Sequence, residues 1–146
     1  MSATLIQLAD TIAATIASQT WILPVVVQRA YQPIHTLADT RQAVRVNVVP
    51  ASVIHEYFSR AQTKVSYTVQ IGILHRPTPM SQTELDKLMQ LTESMLAYFR
   101  GKRLPPTNYY CVRMAYEPLY ASEHMDEYRQ FTAVISLTFR AEEFHA

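Results

Sequence analysis

The chain predicts an α+β fold, a mostly antiparallel sheet with two amphipathic helices packed on one face. Three observations carry this. Residues 128–139 alternate with a period of two, placing Phe131, Ala133, Ile135, Leu137 and Phe139 on one face and Thr132, Val134, Ser136 and Thr138 on the other, as a half-buried antiparallel strand requires. Residues 3–18 and 82–100 show helical spacing of apolar side chains. Finally, the order helix, strand, strand, strand, helix, strand, strand ends in two strands joined by a single loop, which should pair as a hairpin.

Taken in order, Leu5, Ile6, Ala9, Ile12, Ala13 and Ile16 form the apolar stripe of the first helix, with Ser2 as N-cap. Its other face, Thr4, Gln7, Asp10, Thr11 and Thr15, is small and polar. After Pro24, residues 25–29 make a short strand, and Pro33 with residues 38–40 mark a loop. Val44, Val46 and Val48 alternate with Arg45 and Asn47, a strand that Pro50 is expected to end. Residues 51–60 read either as a helical turn or as an irregular connection. Val65, Tyr67, Val69, Ile71 and Ile73 form the next strand, in which Gly72 permits a bulge or a close backbone contact.

The second helix opens on a Ser81/Glu84 capping box, which satisfies N–H groups that a helix start leaves without partners. Its stripe is Leu85, Leu88, Met89, Thr92, Met95, Leu96 and Phe99, and Gly101 with Lys102 and Arg103 suits its C-terminal end. Tyr110, Val112, Met114 and Tyr116 alternate with Cys111, Arg113 and Ala115 in a further strand. Residues 118–126 form a polar loop, the 128–139 strand follows, and residues 142–146 read as a tail.

The 146 residues suit a single domain spanning 1–146, with no internal repeat and enough length for a sizeable core. Only 17% of residues are charged and nine are Tyr, a balance suited to surface that a partner will bury. A net charge of +1 supports no general claim on nucleic acid or anionic membrane. Two glycines argue against phosphate-cradling loops. One cysteine, Cys111, forms no intrachain disulfide, which suits a reducing compartment. No apolar run approaches the roughly 20 residues that span a bilayer, and the start of the chain has no signal-peptide pattern, so a protein made in the cytoplasm is expected.

Chemistry-bearing motifs are sparse. His35, His55, His75, His124 and His145 make no metal-ligand spacing with one another or with Cys111. Cys111 as a nucleophile would need a base such as His124 beside an electropositive, exposed thiol; on a strand between Tyr110 and Val112, packing is the better reading. Glu84/Asp86 and Glu142/Glu143 suit a helix start and a solvated tail. No cofactor and no catalytic residue is expected. Arg29, Arg41, Arg45, Arg60 and Lys64 cluster in the first half of the chain. They read as a blunted sheet edge or as subunit contacts, with Asp126 and Glu127 among the acidic partners, ahead of direct DNA contact.

Four segments in order carry a family resemblance: Val44-Arg45-Val46-Asn47-Val48-Val49-Pro50; Ser59-Arg60 leading into Tyr67-Thr68-Val69-Gln70-Ile71-Gly72-Ile73; Thr83-Glu84-Leu85-Asp86; and the strand from Tyr128 to Phe139. In pattern and order, over roughly residues 25–140, the chain resembles the tail terminator proteins of long-tailed bacteriophages. The resemblance implies a virion protein of the neck that is not an enzyme. It would form a homo-oligomeric ring, of six subunits in that family, that caps the tail tube and stops its polymerisation. The ring would dock the connector of the DNA-filled head, and genomic DNA would pass through its lumen without sequence-specific binding. The family brings no catalytic residues, and Arg45, Arg60 and Lys64 are the candidates for subunit contacts or the lumen wall. The alternatives are another head–tail joining or tail-tube protein, which would form open stacks, and a small enzyme using Cys111.

Overall fold

The computed structural model describes residues 4–30, 44–57, 62–75, 82–100, 103–104, 109–117 and 131–144. They form helix α1 (Thr4–Ser18), strands β1 (Val25–Arg29), β2 (Val44–Tyr57) and β3 (Gln62–His75), helix α2 (Gln82–Phe99), and strands β4 (Arg103–Leu104), β5 (Tyr109–Glu117) and β6 (Phe131–Phe144). One sheet holds all six strands in the order β1-β2-β3-β6-β5-β4. Only β1 and β2 run parallel; every other neighbouring pair is antiparallel. Both helices share one buried cluster with the inward residues of β2, β3 and β6, so they cover the same face of the sheet. The α+β class and the β5–β6 hairpin therefore stand as the sequence predicts.

Helix α1 buries Leu8, Ala9, Ile12 and Ile16, with Leu5 and Ala13 packed at the margin. Leu8 joins the predicted stripe because positions 5, 8, 9, 12, 13 and 16 follow the i, i+3, i+4 spacing of one face. The small polar side chains return their hydroxyls to the helix: Thr11 Oγ1 donates to Gln7 O at 2.9 Å and Thr15 Oγ1 to Thr11 O at 2.7 Å. At the C-terminal end, Ile16 O accepts from Gln19 N at 3.3 Å and from Trp21 Nε1 at 2.9 Å.

Strand β2 departs from expectation. It does not end at Pro50 but continues to Tyr57, so residues 51–57 are neither a helical turn nor irregular. Proline removes a ladder donor, yet two features accommodate it here. Parallel pairing with β1 reaches only Arg29↔Val48, closed by Ala30 N donating to Val48 O at 3.0 Å. A bulge then follows, in which Pro50 pairs with Val69 and Ser52 with Thr68, leaving Ala51 as the extra residue. The inserted residue also exchanges the faces. Before it the even positions Val44, Val46 and Val48 enter the core; after it Val53 lies opposite Tyr67 and His55 opposite Val65, so the odd positions face the helix side.

The same device appears in β5, with a register shift between Cys111 and Arg113. Cys111 pairs with Phe139 and Met114 with Leu137, both core residues, so Cys111 and Met114 share the helix-side face instead of alternating. Gly72, by contrast, sits in unbroken register between Asn47 and Val134, and no bulge occurs there. Strand β6 carries Ala133, Ile135, Leu137 and Phe139 into the core as predicted, but it runs on to Phe144, through residues expected to form a tail. In α2, Leu88, Leu91, Thr92, Met95 and Phe99 are buried, with Leu85, Met89 and Leu96 at the margin. Ser81 and Gly101 lie outside the described residues, and Glu84 pairs with Lys87 at 3.6 Å.

Candidate assembly surfaces

The sheet's second face, away from the helices, follows from the register. At its centre β3 and β6 place Ser66, Thr68, Gln70 and Gly72 beside Arg140, Thr138, Ser136 and Val134, and β5 continues the face with Arg113 and Ala115. These side chains are small or uncharged apart from the two arginines. Thr68 Oγ1 and Thr138 Oγ1 lie 3.2 Å apart and share a hydrogen bond across the strands. Val134, Ser136 and Thr138 are half-buried in the single chain, while Asn47, Ser66 and Leu74 are buried. The predicted non-charged outward side of the 128–139 segment is therefore present from Val134 to Thr138. Its first residues, 128–130, lie outside the described residues.

The three candidate contact residues are not brought together. Arg45 lies on the outer face, level with Val26 of β1 and Leu74 of β3. Lys64 lies on the same face opposite Glu56 and Glu142. Leu74 and Lys64 are ten positions apart on β3, so Arg45 and Lys64 mark opposite ends of the sheet, about 33 Å from each other. Arg60 lies outside the described residues, as do Arg41, Asp126 and Glu127. Arg29 is on the helix side, where its Nε pairs with Asp10 of α1.

Two exposed apolar positions were hidden from sequence reasoning. Val53 and Ile54 are 39% and 52% exposed, on opposite faces of the distal half of β2. A reading that ends the strand at Pro50 gives them no place in the sheet. The signal was Val-Ile within 51–57, a β-branched pair on the far side of a proline.

Cys111 packs at the margin of the core. Burial, the larger cause, pushes its thiol up from its ordinary value against a smaller lowering influence of the Arg113 backbone, and Sγ donates weakly to Arg113 O at 3.7 Å. A nucleophilic cysteine needs the reverse, a stabilised thiolate. His124 and Glu123 lie outside the described residues. Among the described residues no group of His, Cys, Asp and Glu has metal-holding geometry, and no helix is long and apolar enough to cross a membrane.

No protein-family model matches the sequence, and no curated protein matches it. Among solved structures, a chain in the virion of a native gene transfer agent (GTA) particle aligns with 98% of this chain and 99% of its own length, at 13% identity and a TM-score of 0.52. A second solved structure aligns over 100% of this chain and 97% of its own, at 15% identity and a TM-score of 0.46. The first likeness covers both chains almost completely. At that identity what it shows is shared fold, end to end, with a chain of the GTA virion.

Proposed function

We propose that this chain is a virion structural protein, and within the virion a tail terminator. In this reading it forms a ring at the head-proximal end of a phage tail tube, of six subunits by family resemblance, and stops the tube's polymerisation. It then presents the surface on which the head connector docks. Its partners are copies of itself, the tail tube protein and the connector, with genomic DNA passing through the lumen without base-specific contact.

The observation that carries the reading is the end-to-end likeness to a chain of the GTA virion. It is joined by the terminator-like order of segments and by an outer sheet face of small, mostly uncharged side chains suited to coverage by another subunit. The desolvated Cys111 thiol weighs against the enzyme alternative.

The test is a phage lacking this protein, viewed by electron microscopy. Overlong tail tubes beside separate, DNA-filled heads are expected. Tails of normal length already joined to heads would overturn termination. Open stacks formed by the purified protein would point instead to a tube or joining role.

A further inference from the structure

The sheet has two edges that no described strand covers. One is the distal half of β2, because β1 pairs only with Val44–Val48; residues 51–56 are all exposed. The other is β5 beyond Tyr110, because β4 pairs only with Tyr109 and Tyr110; Val112, Arg113 and Ala115 are exposed there. Proteins that remain monomeric blunt such edges with lysine, proline or short strands. The stretch Ala51-Ser-Val-Ile-His-Glu-Tyr57 has no Lys, Arg or Pro and exposes Val53 and Ile54 instead. Of the basic residues expected to guard an edge, the described ones, Arg29, Arg45 and Lys64, lie outside this stretch.

We infer that the distal β2 edge of one copy pairs antiparallel with the β5 edge of the next, with Glu56 opposite Arg113 and Ile54 opposite Ala115. The inference rests on the ring reading and names the surface that builds the ring. Successive antiparallel pairings make β5 run opposite to β2 within one copy. Rotation about an axis close to the strand direction leaves strand directions unchanged, so the neighbouring β5 meets β2 antiparallel.

The faces also agree. Glu56, Ile54 and Ser52 lie on the outer face, as do Arg113 and Ala115, while Val53 occupies a helix-side position. Each bulge resets the parity of its strand next to the edge, and the two resets together leave Glu56 and Arg113 on the outer face.

Charge supports the same register. On the outer face Lys64 of β3 stands level with Glu56 of β2, and in the proposed register Arg113 of the next copy places a second positive charge on the other side of Glu56. Within one copy Arg113 is level with Ser52, through Thr138 and Thr68. The proposed junction therefore displaces the neighbour by four positions, from Ser52 to Glu56, or about 13 Å. Because β1 occupies Val44–Val48, a displacement in this direction is the one the free edge allows. Stagger of this kind is inherent in a closed sheet of tilted strands. Two different patches joined head to tail close into a ring when the rotation permits.

The experiment is a disulfide trap in full-length protein carrying Cys111→Ser, Ile54→Cys and Ala115→Cys. Within one copy β3 and β6 separate these positions by at least about 14 Å across the sheet, twice the roughly 7 Å that a disulfide tolerates between Cα atoms. A bond between them must therefore link copies. The expected result on oxidation is a ladder of covalent oligomers on a non-reducing gel, absent from either single-cysteine variant. Glu56→Arg and Arg113→Glu should each abolish the oligomer seen by native mass measurement of wild type, and their combination should restore it. A wild-type closed oligomer without the ladder, or without rescue by the combined variant, overturns this junction and leaves the ring reading standing. A wild type that stays monomeric overturns both.

Discussion

Trp21 and Tyr98 meet edge to face, with ring centroids 5.8 Å apart and planes at 74°. The contact joins the segment after α1 to the end of α2, so the two helices are coupled directly as well as through the sheet. Trp21 also caps α1 through its indole N–H. Trp21→Phe keeps a ring but removes the donor, and should cost about 0.5–1.5 kcal/mol. A double-mutant cycle of Trp21→Ala with Tyr98→Ala, which removes both rings, should show coupling of about 0.5–1.5 kcal/mol in urea unfolding. Additive losses would mean that the rings do not interact.

Leu91 of α2 is fully buried, beside Leu88, Met95 and Phe99. Leu91→Ala and Leu88→Ala should each cost about 2–5 kcal/mol. Leu85 and Leu96 lie at the margin, and their alanine variants should cost less. Thermal unfolding in which Leu91→Ala leaves the midpoint unchanged would contradict the packing of this helix.

The fold class, both helices and the core face of β6 were legible because uninterrupted periodicity states which way side chains point. Leu91 was missed because the buried face of α2 is wider than a single stripe. The larger misreadings occur at β-bulges. Ala51 and Val112 each insert one residue into a strand, and parity, the quantity that alternation reports, reverses there. Pro50 reads as a terminator because the sequence does not say that β1 stops at Val48, which is what makes a proline harmless beyond it. Among the candidate contacts, Arg45 and Lys64 were close in sequence but are held at opposite ends of the sheet by the β2–β3 pairing.

The Thr68–Thr138 hydrogen bond spans the two central strands on the outer face. Thr68→Val or Thr138→Val alone leaves a half-buried hydroxyl with its cross-strand partner removed, and should cost about 1 kcal/mol. Replacing both should cost less than the two single losses added together. Urea unfolding of the four proteins in the cycle decides the matter, and strict additivity would show that the hydroxyls are independent.

Arg45 and Lys64 lie about 33 Å apart along the sheet, from ten positions of β3. Their alanine substitutions should therefore add, within about 0.5 kcal/mol, in their effect on stability. Oligomer formation should respond unequally, because Lys64 stands beside the distal edge of β2 and Arg45 beside the segment that β1 covers. Lys64→Ala should raise the concentration needed for assembly more than Arg45→Ala does, as read by native mass measurement across a dilution series. Equal effects would argue against a distal contact.

Cys111 carries the clearest pH consequence. Burial raises its thiol above the ordinary value, with the Arg113 backbone a smaller opposing influence. A raised folded-state pKa favours the protonated form in the native protein, so the associated stability is fully present below the unfolded thiol's value of about 8.5. It declines as pH rises through the folded value. Wild type should therefore lose more stability than Cys111→Ser when pH is taken from neutrality into the alkaline range, measured by urea unfolding at each pH. At neutral pH the native thiol should also react with iodoacetamide more slowly than a small free thiol, since the thiolate is the reacting species. Cys111→Ser should still assemble and support virion formation. A native thiol that alkylates faster than the free thiol, together with lost infectivity in an intact serine variant, would revive a catalytic role for Cys111.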